Sequence, residues 1–522
     1  MGFQTIGDNM KKNEYVTPLL PTEEGSELSG NQNLANEISS VEDACNNKAI
    51  KKKSSQRIKS VAYPSDTTLV LENMMGRYGK AGRAQNVSFR KLVDWLKVGE
   101  RATHYVHTYP AKLLPQIAHF FLAAQQLSKP GDIVLDPFGG SGTVALEAIL
   151  AGRKAIFADV NPLARLIAAV KTVPIDPEDL RHAHERITRR YLHSKSSNLL
   201  SPSVVNIDYW YSTEAIEALG RIKNAIDRET AGPIRDFLLV SFSGACRKVS
   251  RADPRLSVPV RLKDGDKEEG GKPQNVWGVF DDQVQSNIRR MQNFVAYLAG
   301  STIDNLALCA GSDARSLQQP TSTLQPKNRK LRRGTVSLII TSPPYAGAQK
   351  YIRASSLNIG WLGLAEAGGL KGLENSSIGR EHYPKALCAE CPMTGIPNAD
   401  RLIKRVYAIN PLRSVIIATY LNEMNTAIAE MVRVLKPGGH LVLVIGNNEV
   451  CGIPFKSSEY LLTLCERHGL TAKLRLIDEI KSRGLMTKRN KTASVITREW
   501  VLLLEKKESI NFISSCDAAE SS

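Results

Sequence analysis

The sequence predicts an α/β fold, a Rossmann-like mixed sheet of seven strands with the last antiparallel, helices on both faces and one large, mostly helical insertion. Three observations carry this expectation. Short apolar runs alternate with helical patterns along most of the chain, as they do where helices connect the strands of a parallel sheet. A glycine-rich turn, Asp136-Pro137-Phe138-Gly139-Gly140-Ser141-Gly142-Thr143, closes the apolar run Ile133-Val134-Leu135 and opens a helical pattern. From about Thr172 to Tyr297 the alternation stops and the pattern is mostly helical.

Residues 1–60 are rich in Asn, Ser, Glu and Lys and end in the basic stretch Lys51 to Lys59, the composition of a disordered polar tail. Residues 61–171 are expected to form the first part of the sheet domain. Strands fall at Asp132–Asp136 and Ala155–Asp159, with a helix over Thr143–Leu150 between them. Residues 172–300 form the helical insertion, with helices at Ser212–Arg228 and Ile234–Arg247 and a loop rich in Pro, Gly, Lys and Arg from Arg251 to Pro273. Residues 301–506 resume the sheet, with strands at Asn305–Ala310, Val336–Thr341, His440–Gly446, Lys473–Asp478 and Glu499–Leu504. The helix over Tyr420–Leu435 is stopped by Lys436-Pro437-Gly438-Gly439, a cation followed by Pro and Gly. A long basic loop joins the last two strands as a hairpin, which makes the final strand antiparallel. Residues 360–411 are glycine-rich and irregular, and residues 507–522 are a loose end.

At 522 residues the chain can bury a large core. No apolar run approaches the roughly 20 residues of a membrane span, and the start lacks a signal-peptide pattern. The expected location is therefore intracellular, in the cytoplasm, with scattered cysteines kept as thiols. A formal net charge of +17 favours a polyanionic partner. Arg247, Lys248, Arg251, Arg255 and Arg261 form one candidate patch; Lys481, Arg483, Lys488, Arg489 and Lys491 form another. Tyr209, Trp210 and Tyr211 are either a stacking surface or core. Cys388 and Cys391, with His382 nearby, lack a second matched pair, so no metal site is expected.

Chemistry concentrates in two places. Ser342-Pro343-Pro344-Tyr345 follows directly on the apolar run that ends at Ile340 and Thr341. An exocyclic amine on a base is a poor nucleophile, because its lone pair is delocalised into the ring. Acceptors on both amine hydrogens let the nitrogen pyramidalise as it attacks. The Ser342 side chain and the Pro343 carbonyl are natural acceptors, while Pro343 and Pro344 stiffen the loop and bring no N–H. Tyr345 offers a face to a base. In the second place, Gly139, Gly140 and Gly142 allow a tight turn and a close approach to a ligand at a helix start. Asp159, followed by Asn161-Pro162, stands at the tip of the next strand, where a ribose needs an acceptor. Asp313, past the third strand, is placed to meet an adenine amino group. On these residues alone, any doubly wound nucleotide binder and a plain strand-ending turn remain open.

Together the motifs resemble those of the S-adenosylmethionine-dependent DNA amino-methyltransferases, over about Arg101 to Lys506. The turn from Asp136 to Thr143 is similar to that family's main cofactor motif, and Ser342 to Tyr345 to its catalytic motif. His107-Thr108-Tyr109-Pro110-Ala111-Lys112 resembles the segment packed on the methionine end of the cofactor. The resemblance implies S-adenosyl-L-methionine as cofactor, held by His107, Tyr109, Pro110, Lys112, Asp136, Pro137, Phe138, Gly139, Gly140, Ser141, Gly142, Thr143, Asp159, Asn161, Pro162 and Asp313. It implies duplex DNA as substrate, with the target base flipped out, and a companion restriction endonuclease as possible partner. Serine before the prolines is more typical of N4-cytosine methylation, whereas N6-adenine enzymes more often carry an acid or amide there. RNA guanine amines and protein glutamine amides are methylated by similar sites. C5-cytosine chemistry is disfavoured, since no Pro-Cys pair occurs in the chain.

Overall fold

The structure is a computed structural model that describes residues 66–97, 101–110, 112–194, 202–262, 275–299, 307–321, 324–347, 351–365, 369–479 and 497–508. The expected tail over 1–60, the basic loop from Lys481 to Lys491 and the start of the strand expected from Asn305 lie outside the described residues. So do the second half of the Arg251–Pro273 loop and the loose end from 509 onward.

The main sheet contains β1 (Gln85–Val87), β2 (Ile133–Asp136), β3 (Lys154–Phe157), β4 (Leu308–Cys309), β5 (Val336–Thr341), β6 (Leu435–Gly446), β7 (Leu470–Glu479) and β8 (Arg498–Lys506). Their order is β1-β7-β8-β6-β5-β2-β3-β4. All neighbours are parallel except β8, which runs antiparallel to both β7 and β6, as the hairpin pattern predicts. The sheet gains one strand over the seven expected. That strand, β1, is 3 residues long, too short to show a period, and pairs parallel with the end of β7.

Because strand side chains alternate between faces, each strand feeds two cores. Val134, Leu338, Ile340, Val442 and Val444 enter one, and Leu135, Ile339, Leu441, Leu443 and Ile445 enter the other. Every residue of β5 is buried, as expected of a central strand covered on both faces.

Helices longer than one turn are α1 (Thr68–Ala81), α2 (Pro115–Leu122), α3 (Thr143–Leu150), α4 (Pro162–Thr172), α5 (Pro177–His193), α6 (Thr213–Asp227), α7 (Pro233–Lys248), α8 (Val276–Leu298), α9 (Ser356–Leu362), α10 (Gly369–Ser376), α11 (Pro397–Ile409), α12 (Pro411–Val434) and α13 (Ser457–Arg467). The first core takes Leu71 of α1, Phe120 of α2, Leu146 of α3, Phe237 of α7 and Phe280 of α8. The second takes Ile403 of α11, Met424 of α12 and Leu461 of α13. Several helices begin on the expected chemistry. Asn161, Asp176, Ser212, Asn275 and Asn410 each accept a first-turn N–H, and Pro stands at N1 after three of them. Among the described residues no helix is long and apolar enough to cross a membrane.

Two local expectations change. Residues 360–411 were expected to be irregular but hold α10 and α11. Lys436 to Gly439 does stop a helix, yet β6 starts immediately at Leu435 and absorbs these residues as a bulge. Val336 pairs with Leu435 but Leu338 with His440, and Gly438 takes φ 70°.

Candidate active site

Parallel pairing of β2 with β5, Val134 to Leu338 and Leu135 to Ile339, brings their C-terminal tips side by side. There the Thr341 hydroxyl donates to Asp136 Oδ1 at 2.7 Å, although 205 positions separate the two residues. Thr341 immediately precedes Ser342, and Asp136 opens the glycine turn. One buried hydrogen bond therefore ties the two motif-bearing loops to one edge of the sheet. Burial pushes the Asp136 carboxyl up to about 7, although Thr341 and the Phe138 N–H both donate to it.

The glycine turn is shaped by contacts that a side chain would disrupt. Gly139 donates to the Ala158 carbonyl at 2.8 Å, pinning the turn to the end of β3. Gly142, at φ 77°, lies so close to α4 that an added Cβ would sit 2.8 Å from Ala168 Cα. Gly140, at φ 48° and partly exposed, leaves room for a Cβ, whose nearest neighbour would be the Tyr109 ring at 3.7 Å. Asp159 accepts from the Gly140 N–H through Oδ2 and from the Asn161 N–H through Oδ1, both at 2.8 Å. Burial raises its carboxyl, and the two backbone donors work against that. The open side of Gly140, the free N–H groups at the start of α3 and the carboxylate at the strand tip fit a nucleoside cofactor.

The His107 to Lys112 segment packs beside this turn through Tyr109. Its hydroxyl accepts from Asn161 Nδ2 at 3.1 Å, and the same amide reaches Ser355 Oγ at 3.1 Å. Asn161 is thus a brace between three segments as well as the cap of α4, with Pro162 in the first turn. His107 points into the helical insertion, where Nε2 meets Ser243 Oγ of α7 at 3.0 Å. Its Nδ1 is buried without a partner, and burial pushes the imidazole down to about 3, so the ring is neutral. Lys112 donates to the carbonyl of His107 at 2.7 Å, and burial lowers its amine to about 8. Pro110 is partly exposed beside Tyr109. Asp313 lies past β4 but is held by Arg315, whose Nε is 2.8 Å from Oδ1 and whose Nη1 also reaches Glu423.

Pro343 is buried, while Ser342, Pro344 and Tyr345 are partly exposed. The Tyr345 hydroxyl donates to Glu499 Oε1 at 3.3 Å. Glu499 is on β8 opposite Gly446, at the same edge of the sheet, because β8 runs back from it. On the other side, Gly347 donates to the Gly379 carbonyl at 3.1 Å. Gly379, at φ 79°, leaves no room for a Cβ, which would stand 2.7 Å from the Tyr345 carbonyl oxygen.

Several contributors have no local signature. Glu499 and Gly379 are of this kind, as is Lys171, fully buried with Nζ donating to Ser141 Oγ at 3.3 Å. Beneath the turn, Glu147 of α3 is fully buried and binds Arg101 Nε at 2.8 Å, His104 at 2.7 Å and His119 at 3.3 Å. Burial would raise its carboxyl, but these partners hold it well below the usual carboxylate range.

The first basic patch is largely engaged within the fold. Arg247 donates to the carbonyls of Asp253 and Leu256, Lys248 to Gln283, and Arg251 to the Asp208 carbonyl. Arg255 pairs with Asp253, and Arg261 covers the ring of Tyr209 at 4.8 Å. Tyr211 is core, its hydroxyl donating to the Cys246 carbonyl at 3.2 Å. Among the described residues no group of three or more His, Cys, Asp or Glu is placed to hold a metal.

A family model of N6/N4 DNA methylases matches residues 40–169, which carry the glycine turn and the His107 to Lys112 segment. The Type II methyltransferase M.MvaI of Kocuria varians is 25% identical over 425 residues, 77% of this chain and 91% of that protein. M.AvaI of a Nostoc species is 24% identical over 369 residues, 66% of this chain and 74% of that one. Residues 40–169 are thus similar to N6/N4 DNA methylases, and most of the chain is similar to Type II methyltransferases. Among solved structures, a SAM-dependent methyltransferase from Methanosarcina mazei is 10% identical, covers 76% of this chain and 100% of its own, and gives a TM-score of 0.26. At that score the architecture rests on the strand order described above.

Proposed function

We propose that the protein methylates the N4 amine of cytosine in duplex DNA with S-adenosylmethionine, as the modifying partner of a restriction endonuclease. The observation that carries this is the Thr341 to Asp136 bond of 2.7 Å, which sets the amine-holding loop beside the nucleoside-holding turn. The cofactor, when bound, supplies an electrophilic methyl group on a sulfonium.

The chain's own residues supply position. Asp159 and the N–H groups at the start of α3 hold the nucleoside, and Tyr109 with Lys112 borders the methionine end. Ser342 Oγ and the Pro343 carbonyl accept the two amine hydrogens, which localises the nitrogen lone pair toward the methyl group. Tyr345 stacks on the flipped base. Rate then comes from alignment and from excluding water, with no covalent intermediate. The helical insertion over residues 172–300 abuts this site through His107 and Ser243, and is the region we assign to DNA recognition.

The test is incubation with labelled S-adenosylmethionine and mixed-sequence duplex DNA, followed by digestion to nucleosides. Label on N4-methyl-2′-deoxycytidine is expected. Label on N6-methyl-2′-deoxyadenosine overturns the base assignment, and label only in a parallel incubation with RNA overturns the substrate class. Ser342→Ala and Tyr345→Ala are expected to abolish most turnover and spare cofactor binding, whereas Asp159→Ala weakens cofactor binding.

A further inference from the structure

We infer that a basic groove on the free edge of the sheet holds backbone phosphates of the duplex whose flipped base meets Tyr345, an assignment that rests on the DNA methylation proposed above. The groove, of about 460 Å³, lies between α1, β1 and the short helix Phe89–Leu92. Its lining includes Arg77, Arg83 and Lys91 and contains no carboxylate. All three cations are exposed, and among the described residues none forms an ion pair; Arg77 donates to the Asn73 carbonyl at 3.4 Å. A concave surface with three cations and no acid of its own takes its countercharge from a partner.

Topology sets the distance from this groove to the site. Val87 of β1 pairs with Asp478 of β7, Asp478 pairs with Glu499 of β8, and Glu499 accepts from the Tyr345 hydroxyl. The groove thus lies two strand spacings from Glu499, about 10 Å. Burial raises the Glu499 carboxyl, and Arg90, exposed on the short helix, is near enough to work weakly against that. β1 is the outermost strand of the sheet. In this assignment a duplex that delivers a base to Tyr345 passes its sugar-phosphate backbone across this edge. Phosphates are neutralised by such cations in a sequence-independent way, and each contact adds to the salt dependence of binding.

The test is the triple variant Arg77→Ala, Arg83→Ala, Lys91→Ala in the full chain, compared with the charge-conserving pair Arg77→Lys, Arg83→Lys. DNA affinity is measured against salt concentration, together with methylation kinetics, S-adenosylmethionine affinity and thermal midpoint. The triple variant is expected to flatten the slope of log affinity against log salt by about 2–3, at about 0.9 per phosphate contact. KM for DNA rises while kcat, cofactor affinity and thermal midpoint stay at the parent's values; the lysine pair keeps the parent's slope. An unchanged slope in the triple variant, with methylation intact, overturns the assignment, and so does a flattened slope in the lysine pair. Failure of the parent to methylate any DNA is a different result, removing the enzymatic function itself.

Discussion

Alanine at Gly142 and alanine at Gly140 should have opposite signatures, although both glycines belong to one turn and both have positive φ. At Gly142 (φ 77°) the new Cβ meets Ala168 Cα and Cβ at 2.8 Å, a backbone neighbour in a buried helix that cannot swing away. Left-handed backbone costs roughly 1–2 kcal/mol and the forced shift of α4 roughly 1–3 kcal/mol, so Gly142→Ala should destabilise by about 2–5 kcal/mol. At Gly140 (φ 48°) the nearest atom is Tyr109 Cε1 at 3.7 Å, an ordinary contact, so only the backbone term of roughly 1–2 kcal/mol applies. Under the function proposed above, that Cβ stands in the cofactor cradle instead. Chemical denaturation and calorimetric titration with S-adenosylmethionine separate the two effects. Gly142→Ala should lose the more stability, and Gly140→Ala should lose cofactor affinity beyond its small stability loss. Equal destabilisation by the two substitutions, or undiminished cofactor binding in Gly140→Ala, refutes the reasoning.

Three further outcomes follow from buried groups. Glu147→Gln leaves Arg101 buried without its counterion and should cost about 3–5 kcal/mol in denaturation. Because the Glu147 carboxyl is held below its usual range, its contribution is present above the unfolded pKa and lost as pH falls through the folded one, so the variant should show a flatter acid limb. Asp136 has the opposite sign. Its contribution is full below the unfolded value of 3.8 and lost as pH rises toward about 7, so Asp136→Asn should be the less pH-sensitive protein across that window in urea titrations. Glu499→Ala removes the acceptor of the Tyr345 hydroxyl, and a net hydrogen bond of about 1 kcal/mol corresponds to a fall of about fivefold in single-turnover methylation. Glu499→Gln keeps an acceptor oxygen and should recover most of that rate; equal losses in both variants would assign Glu499 a different role.

Much of the architecture was legible because it is written locally. Short apolar runs mark β5 and β6, and the glycine run marks the turn after β2. β1 was not legible, since 3 residues carry no period. Nor was the end of the helix before β6 fully so: Pro and Gly say that a helix stops, and pairing with β5 decides that a strand starts at Leu435. Among the proposed site residues, Asp159 and Tyr345 stand out in the sequence, but their hydrogen-bond partners, the Gly140 N–H and Glu499, do not.

The sequence by itself determined most of the strands and helices, where the two motif-bearing loops lie, and which side chains they offer. Local backbone preference and hydrophobic period act over a few residues, so they can be read from neighbours. Only the tertiary structure decided that Asp136 meets Thr341, that Gly142 lies against Ala168, that Arg101, His104 and His119 converge on Glu147, and that Arg77, Arg83 and Lys91 share a groove free of acid. Those pairings depend on strand order and on burial. A charge in the core and a charge in water are the same letter until the sheet closes around one of them.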